Sequence, residues 1–279
     1  MAGMQFFAFG FGYVAAETAR LLSAEGAVCA GAVRSEASAE PLRAQGFAAY
    51  LWPGEGFSPP PGAVWLISVP PDAGGCPVFR AFQHLAGTAS WIGYLSTTGV
   101  YGDLTCGWAF EETPLNPQSR EAANRAAAEA QWQTLGARIF RLPGIYGPGR
   151  SALDRVREPG ARRIVKPGQV FSRAHVHDIA EAVRLAIHTL SATGAFNICD
   201  DEPAPADEVL TYAAELLDIA PPPAVAFEDA GLSPMAQRFY TECKRVSNAK
   251  AKAMLGWRPK FPTYREGLQD CLSKIKVAR

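Results

Sequence analysis

The chain reads as an α/β protein, a doubly wound parallel sheet joined to a small mixed C-terminal lobe. Three observations carry that reading. Short apolar runs alternate with helical patterns over the first half of the 279 residues. A glycine turn links the first apolar run to the first helical stretch. After Tyr146 the alternation gives way to short, irregular pieces.

Candidate strands lie at 4–9, 27–33, 46–51, 63–69, 91–97 and 137–142, with helical stretches at 13–24, 38–45, 78–87 and 119–135 between them. In the first helix Val14, Thr18, Leu21 and Leu22 recur at helical spacing, and Gly26 stops it. Right-handed crossovers bring the strand C-termini to one edge, where sheets of this kind bind ligands. Beyond Tyr146, Gly147-Pro148-Gly149-Arg150 is a turn and 151–157 a short helix. Helix 178–190 presents Ile179, Val183, Ala186, Ile187 and Leu190 on one face, with Asp178 as its expected N-cap. Phe196-Asn197-Ile198-Cys199 reads as a buried strand, and 206–218 and 248–255 as helices. A last helix opens at Thr263, with Glu266 completing a capping box.

Gly10-Phe11-Gly12-Tyr13-Val14-Ala15 is a G-x-G-x-x-A set between a strand and a helix, the arrangement of a Rossmann-type dinucleotide site. Gly10 permits the tight turn, Gly12 lets the backbone approach a pyrophosphate, and Ala15 lets the helix lie close to the strand. The helix start, from Phe11 and Gly12 through Tyr13 and Val14, offers unpaired N–H groups and a positive dipole end. The second strand ends in Val33-Arg34-Ser35 and not in an acid. Arg34 and Ser35 can bind a ribose 2′-phosphate, which favours NADP over NAD. Ser68, Val69 and Pro70, at the end of the fourth strand, would pass beside the adenosine and ribose.

With 48% hydrophobic residues the chain can bury a large core. Lys+Arg and Asp+Glu both number 27, so overall charge argues for neither a nucleic-acid nor an anionic-membrane partner. No apolar run reaches the length of a membrane span. The six cysteines form no C-x-x-C and are irregularly spaced, which fits reduced thiols in a cytoplasmic protein. His175 and His177 share a face if on a strand, but no third or fourth ligand lies near them, and no metal is expected.

From Trp91 onward the motifs become recognisable. Tyr94-Leu95-Ser96-Thr97-Thr98-Gly99-Val100-Tyr101-Gly102-Asp103 resembles the fifth strand and V-Y-G turn of extended short-chain dehydrogenases/reductases, the NAD-dependent epimerase/dehydratase family. Glu111-Glu112-Thr113-Pro114 resembles its E-x-x-P, and Arg141-Leu142-Pro143-Gly144-Ile145-Tyr146-Gly147-Pro148-Gly149 its R-x-x-x-x-Y-G-P-G. Ala174-His175-Val176-His177-Asp178, Phe196-Asn197-Ile198 and Leu255-Gly256-Trp257-Arg258-Pro259 resemble later motifs of the same family, in the same order. The resemblance implies a nicotinamide near Thr97 and Pro143, a substrate oxygen oriented by Thr97, and a two-fold dimer through the alanine-rich helix 119–135.

The chain also departs from the family. The Tyr-x-x-x-Lys pair on the helix after the fifth strand is replaced by Glu121 and Arg125, and 115–136 contains no tyrosine. Arg125 keeps the positive charge but cannot titrate near neutrality. Glu121 could act as a general acid only in a dry pocket that raised its pKa. The resulting expectation is an NADP-dependent oxidoreductase of a small polar substrate, with Thr97, Glu121 and Arg125 at the reacting end. Its cofactor domain would comprise 1–146, 174–198 and 263–279, and its substrate lobe 147–173 and 199–262. A non-enzymatic NADP-binding or redox-sensing module and a sugar-nucleotide epimerase/dehydratase are the two alternatives.

Overall fold

The computed structural model describes residues 3–54 and 57–277. Its strands are β1 (Gln5–Phe9), β2 (Val28–Val33), β3 (Ala48–Leu51), β4 (Val64–Ile67), β5 (Trp91–Thr97), β6 (Trp108–Ala109), β7 (Arg138–Leu142), β8 (Gly144–Tyr146), β9 (Arg163–Val165), β10 (Arg173–His175), β11 (Ala195–Asn197), β12 (Ala224–Ala226) and β13 (Arg245–Val246). Its helices are α1 (Tyr13–Ala24), α2 (Glu36–Ala44), α3 (Pro77–Phe82), α4 (Arg120–Gln133), α5 (Ala152–Arg155), α6 (Val176–His188), α7 (Ala206–Leu216), α8 (Pro234–Thr241), α9 (Ala249–Leu255) and α10 (Tyr264–Val277).

Seven strands make one parallel sheet in the order β11-β7-β5-β4-β1-β2-β3. The order reverses between β1 and β4, which opens a crevice at the C-terminal ends of these two strands. Both sheet faces are covered, so the strands are apolar almost throughout. Phe6, Ala8, Leu66, Leu95 and Phe140 pack under α1 and α6. The alternate residues Phe7, Phe9, Trp65, Ile67 and Tyr94 pack on the other face with Ala128 and Trp132 of α4. The expected parallel sheet is thus present, with each of its first five strands within three residues of the position read from the sequence.

The remaining strands are two or three residues long and lie outside that sheet. β8 pairs with β10, β9 with β12 and β6 with β13, all parallel. α10 packs against α5, α7 and β10 around Tyr146, Leu153, Val209 and Leu268. α10, from the segment 263–279 expected in the larger unit, thus touches β10 as well as α5 and α7.

Three expectations need correction. Asp178 is not the N-cap of α6; His175 occupies that position, its side chain accepting the His177 N–H at 3.2 Å. Asp178 is buried in the first turn, and its carboxylate accepts the Lys260 N–H at 2.7 Å and the Phe261 N–H at 3.1 Å. The Trp257 indole N–H donates to the Asp178 carbonyl, so one residue seats the whole Leu255–Phe261 stretch on α6. Leu190 lies beyond the end of α6 and is exposed. The cysteines are not all free: Cys106 and Cys243 form a disulfide across 137 residues of chain, while Cys29, Cys76, Cys199 and Cys271 are buried thiols. A count of six unpaired cysteines therefore no longer argues for a reducing compartment. No described helix is long and apolar enough to cross a membrane.

Alkylation of the unfolded, unreduced protein is expected to label four cysteines by intact mass, and six after reduction. Six labels without reduction would remove the cross-link.

Candidate functional site

The β1–α1 turn forms a cradle at the switch point. Gly10 has φ +83°, and a Cβ there would press on Val69 Cγ2 at 3.1 Å and the Val69 nitrogen at 3.2 Å. Its glycine therefore serves both the left-handed turn and the close approach of the loop after β4. Gly12 is the N-cap of α1, with no capping side chain, and a Cβ there would meet nothing within 4 Å. The first helical bond runs from the Ala16 N–H to the Gly12 carbonyl at 2.8 Å. The amides of Tyr13, Val14 and Ala15 precede it and have no helical acceptor. An open space faced by such donors suits a pyrophosphate.

The side chains around the cradle have other duties. Phe11 is buried against Phe47, and a Cβ on Gly31 would overlap its ring, so Phe11 can offer a ligand only its backbone. Val14 is equally buried in the core. Tyr13 donates its hydroxyl to the Pro148 carbonyl at 3.0 Å, and burial pushes its pKa up to about 12. It ties the cradle to the Tyr146–Gly149 turn and cannot turn its hydroxyl to a ligand without breaking that tie.

Arg34 stands exposed at the end of β2, with no ion-pair partner among the described residues. The nearest acid in sequence, Glu36, is held by Arg43 of its own helix. Ser35 precedes α2, its hydroxyl 3.0 Å from that of Ser38. Ser68 and Val69 are partly exposed and Pro70 is exposed, with the Ser68 N–H bound to the Phe9 carbonyl at 2.8 Å. The loop after β4 is thereby clamped to the tip of β1.

Thr97 ends β5 and caps the Thr98–Tyr101 turn, its Oγ1 accepting the Gly99 N–H at 3.1 Å. Its proton remains available to a ligand. Arg125 turns into the protein, donating to the Leu95 carbonyl at 2.6 Å and lying over the Tyr94 ring. Glu121 is 75% exposed and faces Arg238 of α8 at 3.5 Å. The dry pocket that a general acid would need is not formed around it. Pro143 links β7 to β8 and is partly exposed.

Below Thr97 lies a buried polar network that sequence reasoning missed. Arg141 donates to both Glu129 oxygens at 2.8 to 3.2 Å, to the Tyr101 hydroxyl at 2.9 Å and to the Glu111 carbonyl at 2.9 Å. Ser96 donates to Glu129, Tyr101 donates to Asn197 at 2.7 Å, and the Asn197 N–H donates to the Glu111 carboxylate at 2.8 Å. Burial raises the Glu111 pKa. The signal was present piecemeal, since Arg141 and Tyr101 lie in the quoted motifs, but their partner on α4 is set by three-dimensional contact.

A second missed group lies in the small lobe. Arg173 is fixed by the Phe171 and Ala204 carbonyls at 2.9 and 3.0 Å. Asp200 is buried, its two oxygens have no hydrogen-bond partner, and burial pushes its pKa up to about 8 against the pull of Arg173. Arg163, at the start of β9, donates to the Pro222 carbonyl and to Thr211, and Lys166 to the Tyr240 carbonyl, so both brace the lobe. No group of three or more His, Cys, Asp or Glu able to hold a metal occurs among the described residues.

No family model matches the chain. A functionally unknown conserved protein from Silicibacter pomeroyi is 43% identical over 98% of this chain and 99% of that one, with a TM-score of 0.92. An NAD-dependent epimerase/dehydratase assignment is carried by a Methylobacillus flagellatus structure, 23% identical over 99% of this chain and 100% of that one, with a TM-score of 0.75. The 3-diazoavenalumate denitrifying reductase of a Streptomyces species is 32% identical over 180 residues, which span 57% of this chain and 57% of that reductase. The fold is thus the Rossmann-type α/β fold shared by solved structures of epimerase/dehydratase-like short-chain dehydrogenases/reductases.

Asp200 supplies a pH test. An unfolded aspartate ionises near ~3.9, whereas the folded one keeps its proton up to about 8. Between those values the native state binds more protons, so this group's contribution to stability falls as pH rises. Relative to Asp200→Asn, the wild type is expected to lose stability between pH 5 and pH 8 in denaturant unfolding; parallel curves would refute the assignment.

Proposed function

We propose that the chain is an NADP-dependent reductase of a small electrophilic substrate. The observation that carries this reading is the open Gly12 cradle at the start of α1, with an unpaired Arg34 on the neighbouring strand end. The α1 amides would hold the pyrophosphate, Arg34 and Ser35 the 2′-phosphate, and Ser68, Val69 and Pro70 would flank the adenosine side. When bound, the dinucleotide supplies a hydride. The protein's part is alignment: Thr97 presents a hydroxyl proton to the substrate and Pro143 closes the reacting end.

No described side chain at the Glu121 or Arg125 position can deliver a proton from a dry site. Arg125 is held by Leu95, and Glu121 lies in solvent beside Arg238. This supports an acceptor that needs hydride without an enzyme-borne acid, with any proton coming from water. The Streptomyces relative, named as a reductase of a diazo compound, supports reduction over epimerisation and an electrophilic acceptor. The Cys106–Cys243 cross-link favours a second reading, an NADP-binding redox module without turnover. We also propose a dimer through α4, whose Ala123, Ala127 and Ala130 form an exposed small-residue stripe.

Incubation with NADPH and a panel of aldehydes, ketones, aryl diazonium salts and sugar nucleotides is expected to consume NADPH with at least one acceptor, followed by absorbance. Tight NADPH binding with no turnover across the panel would replace the reductase with the redox module. Arg34→Ala is expected to weaken NADPH by at least ~10-fold, the loss of one charge-assisted bond of about 1.5 kcal/mol or more, while leaving NADH affinity nearly unchanged. An unaltered preference would remove Arg34 from the site.

A further inference from the structure

A groove of about 440 Å³ opens in the small lobe just past the reacting end, beginning at Gly144, the residue after Pro143. It runs between β8, α5, α7 and α10, and its volume lies in the range of small-molecule sites. Ile145, Leu210 and Leu268 give it an apolar lining. Its charged lining consists of Arg150, Arg155 and Arg173 with Asp154 and Glu158.

The two signs are not equivalent. Asp154 is committed to the start of α5, accepting the Ser151 N–H and hydroxyl at 2.8 Å each. Glu158 is exposed. Arg150 and Arg155 are exposed, with no ion-pair partner among the described residues. Arg173 lies deeper, over the Tyr264 ring, and its two bonds to Phe171 and Ala204 leave guanidinium donors unused. Its strongest electrostatic partner is Asp200, which forms no ion pair with it and holds its proton near neutrality. A half-buried cation that forms no ion pair among the described residues and has donors to spare, beside an apolar lining, favours an organic anion.

We propose that this groove binds the anionic end of the substrate, a carboxylate on an apolar body, with Arg173 meeting the carboxylate and Arg150 and Arg155 flanking it. Calling the ligand the substrate rests on the reductase reading; the selectivity of the groove for an anion does not. The geometry also gives a direction to the substrate, with its reducible end towards Pro143 and its charged end towards Arg173.

Calorimetric titration of the full chain, without cofactor, should use 4-hydroxybenzoate, phenyl phosphate and the neutral 4-hydroxybenzamide. The carboxylate is expected to bind at least ~10-fold more tightly than the amide, one tenfold step being about 1.4 kcal/mol. Arg150→Ala and Arg155→Ala are each expected to weaken it several-fold with unchanged Tm, and Arg173→Gln to abolish it. If Arg173→Gln does not fold, the two exposed variants decide the outcome. Equal affinity for the amide, or affinity unchanged in Arg150→Ala and Arg155→Ala, would overturn the proposal. Tighter binding of phenyl phosphate would overturn the carboxylate assignment in favour of a phosphate monoester. Anion binding together with no turnover on any acceptor would refute the reductase and leave the groove standing.

Discussion

The buried ion pair between Glu129 and Arg141 holds the end of β5 and the turn after it in place. Two desolvated charges are costly unless every polar atom is met, and here the pair recruits neighbours to meet them. Ser96 comes from β5, Arg141 from β7, Tyr101 from the turn after Thr97, and the Glu111 carbonyl from the loop beyond β6. Four separate chain segments are thus fixed to α4 at one point. Thr97 inherits its position from this arrangement, because it lies between Ser96 and the Tyr101 turn. A helix with an alanine-rich face could slide on an apolar sheet, and the pair sets its register.

The cradle and the small lobe are linked by contacts of a similar kind. Tyr13, the first residue of α1, binds Pro148 in the turn that leads to Arg150 and α5. Asp178 on α6 seats the backbone at Lys260 and Phe261, immediately before α10. The Cys106–Cys243 disulfide and the Lys244 bond to the Gly102 carbonyl at 2.7 Å join the loop beyond Thr97 to the small lobe. α1, α6 and the loop beyond Thr97 are therefore each tied to later segments of the chain by polar or covalent contacts and not by apolar packing alone.

The large sheet was legible because its strands are long enough to show apolar runs, and its first glycine turn because the turn lies within one supersecondary unit. The cradle was legible for the same reason: Gly10, Gly12 and Arg34 act through backbone geometry and strand position, both local properties. The short strand pairs were not legible. Two or three residues carry no periodicity, and β8 with β10, or β6 with β13, exist only because the fold brings them together. Asp178 looked like a cap because a carboxylate at the start of a helix has that use by default, and its actual partners lie over 80 residues away.

The sequence by itself determined the order of the first strands of the large sheet and their helices, the glycine turn between β1 and α1, the cation at the end of β2 and the absence of a tyrosine from 115–136. Each follows from residue type at short spacing. The tertiary structure decided the rest: that Arg125 is bound inward and Glu121 lies in solvent, that Cys106 meets Cys243, and that Arg173 reaches a groove without forming an ion pair among the described residues. These depend on desolvation and on which distant groups share a cavity, and neither quantity exists until the chain has folded.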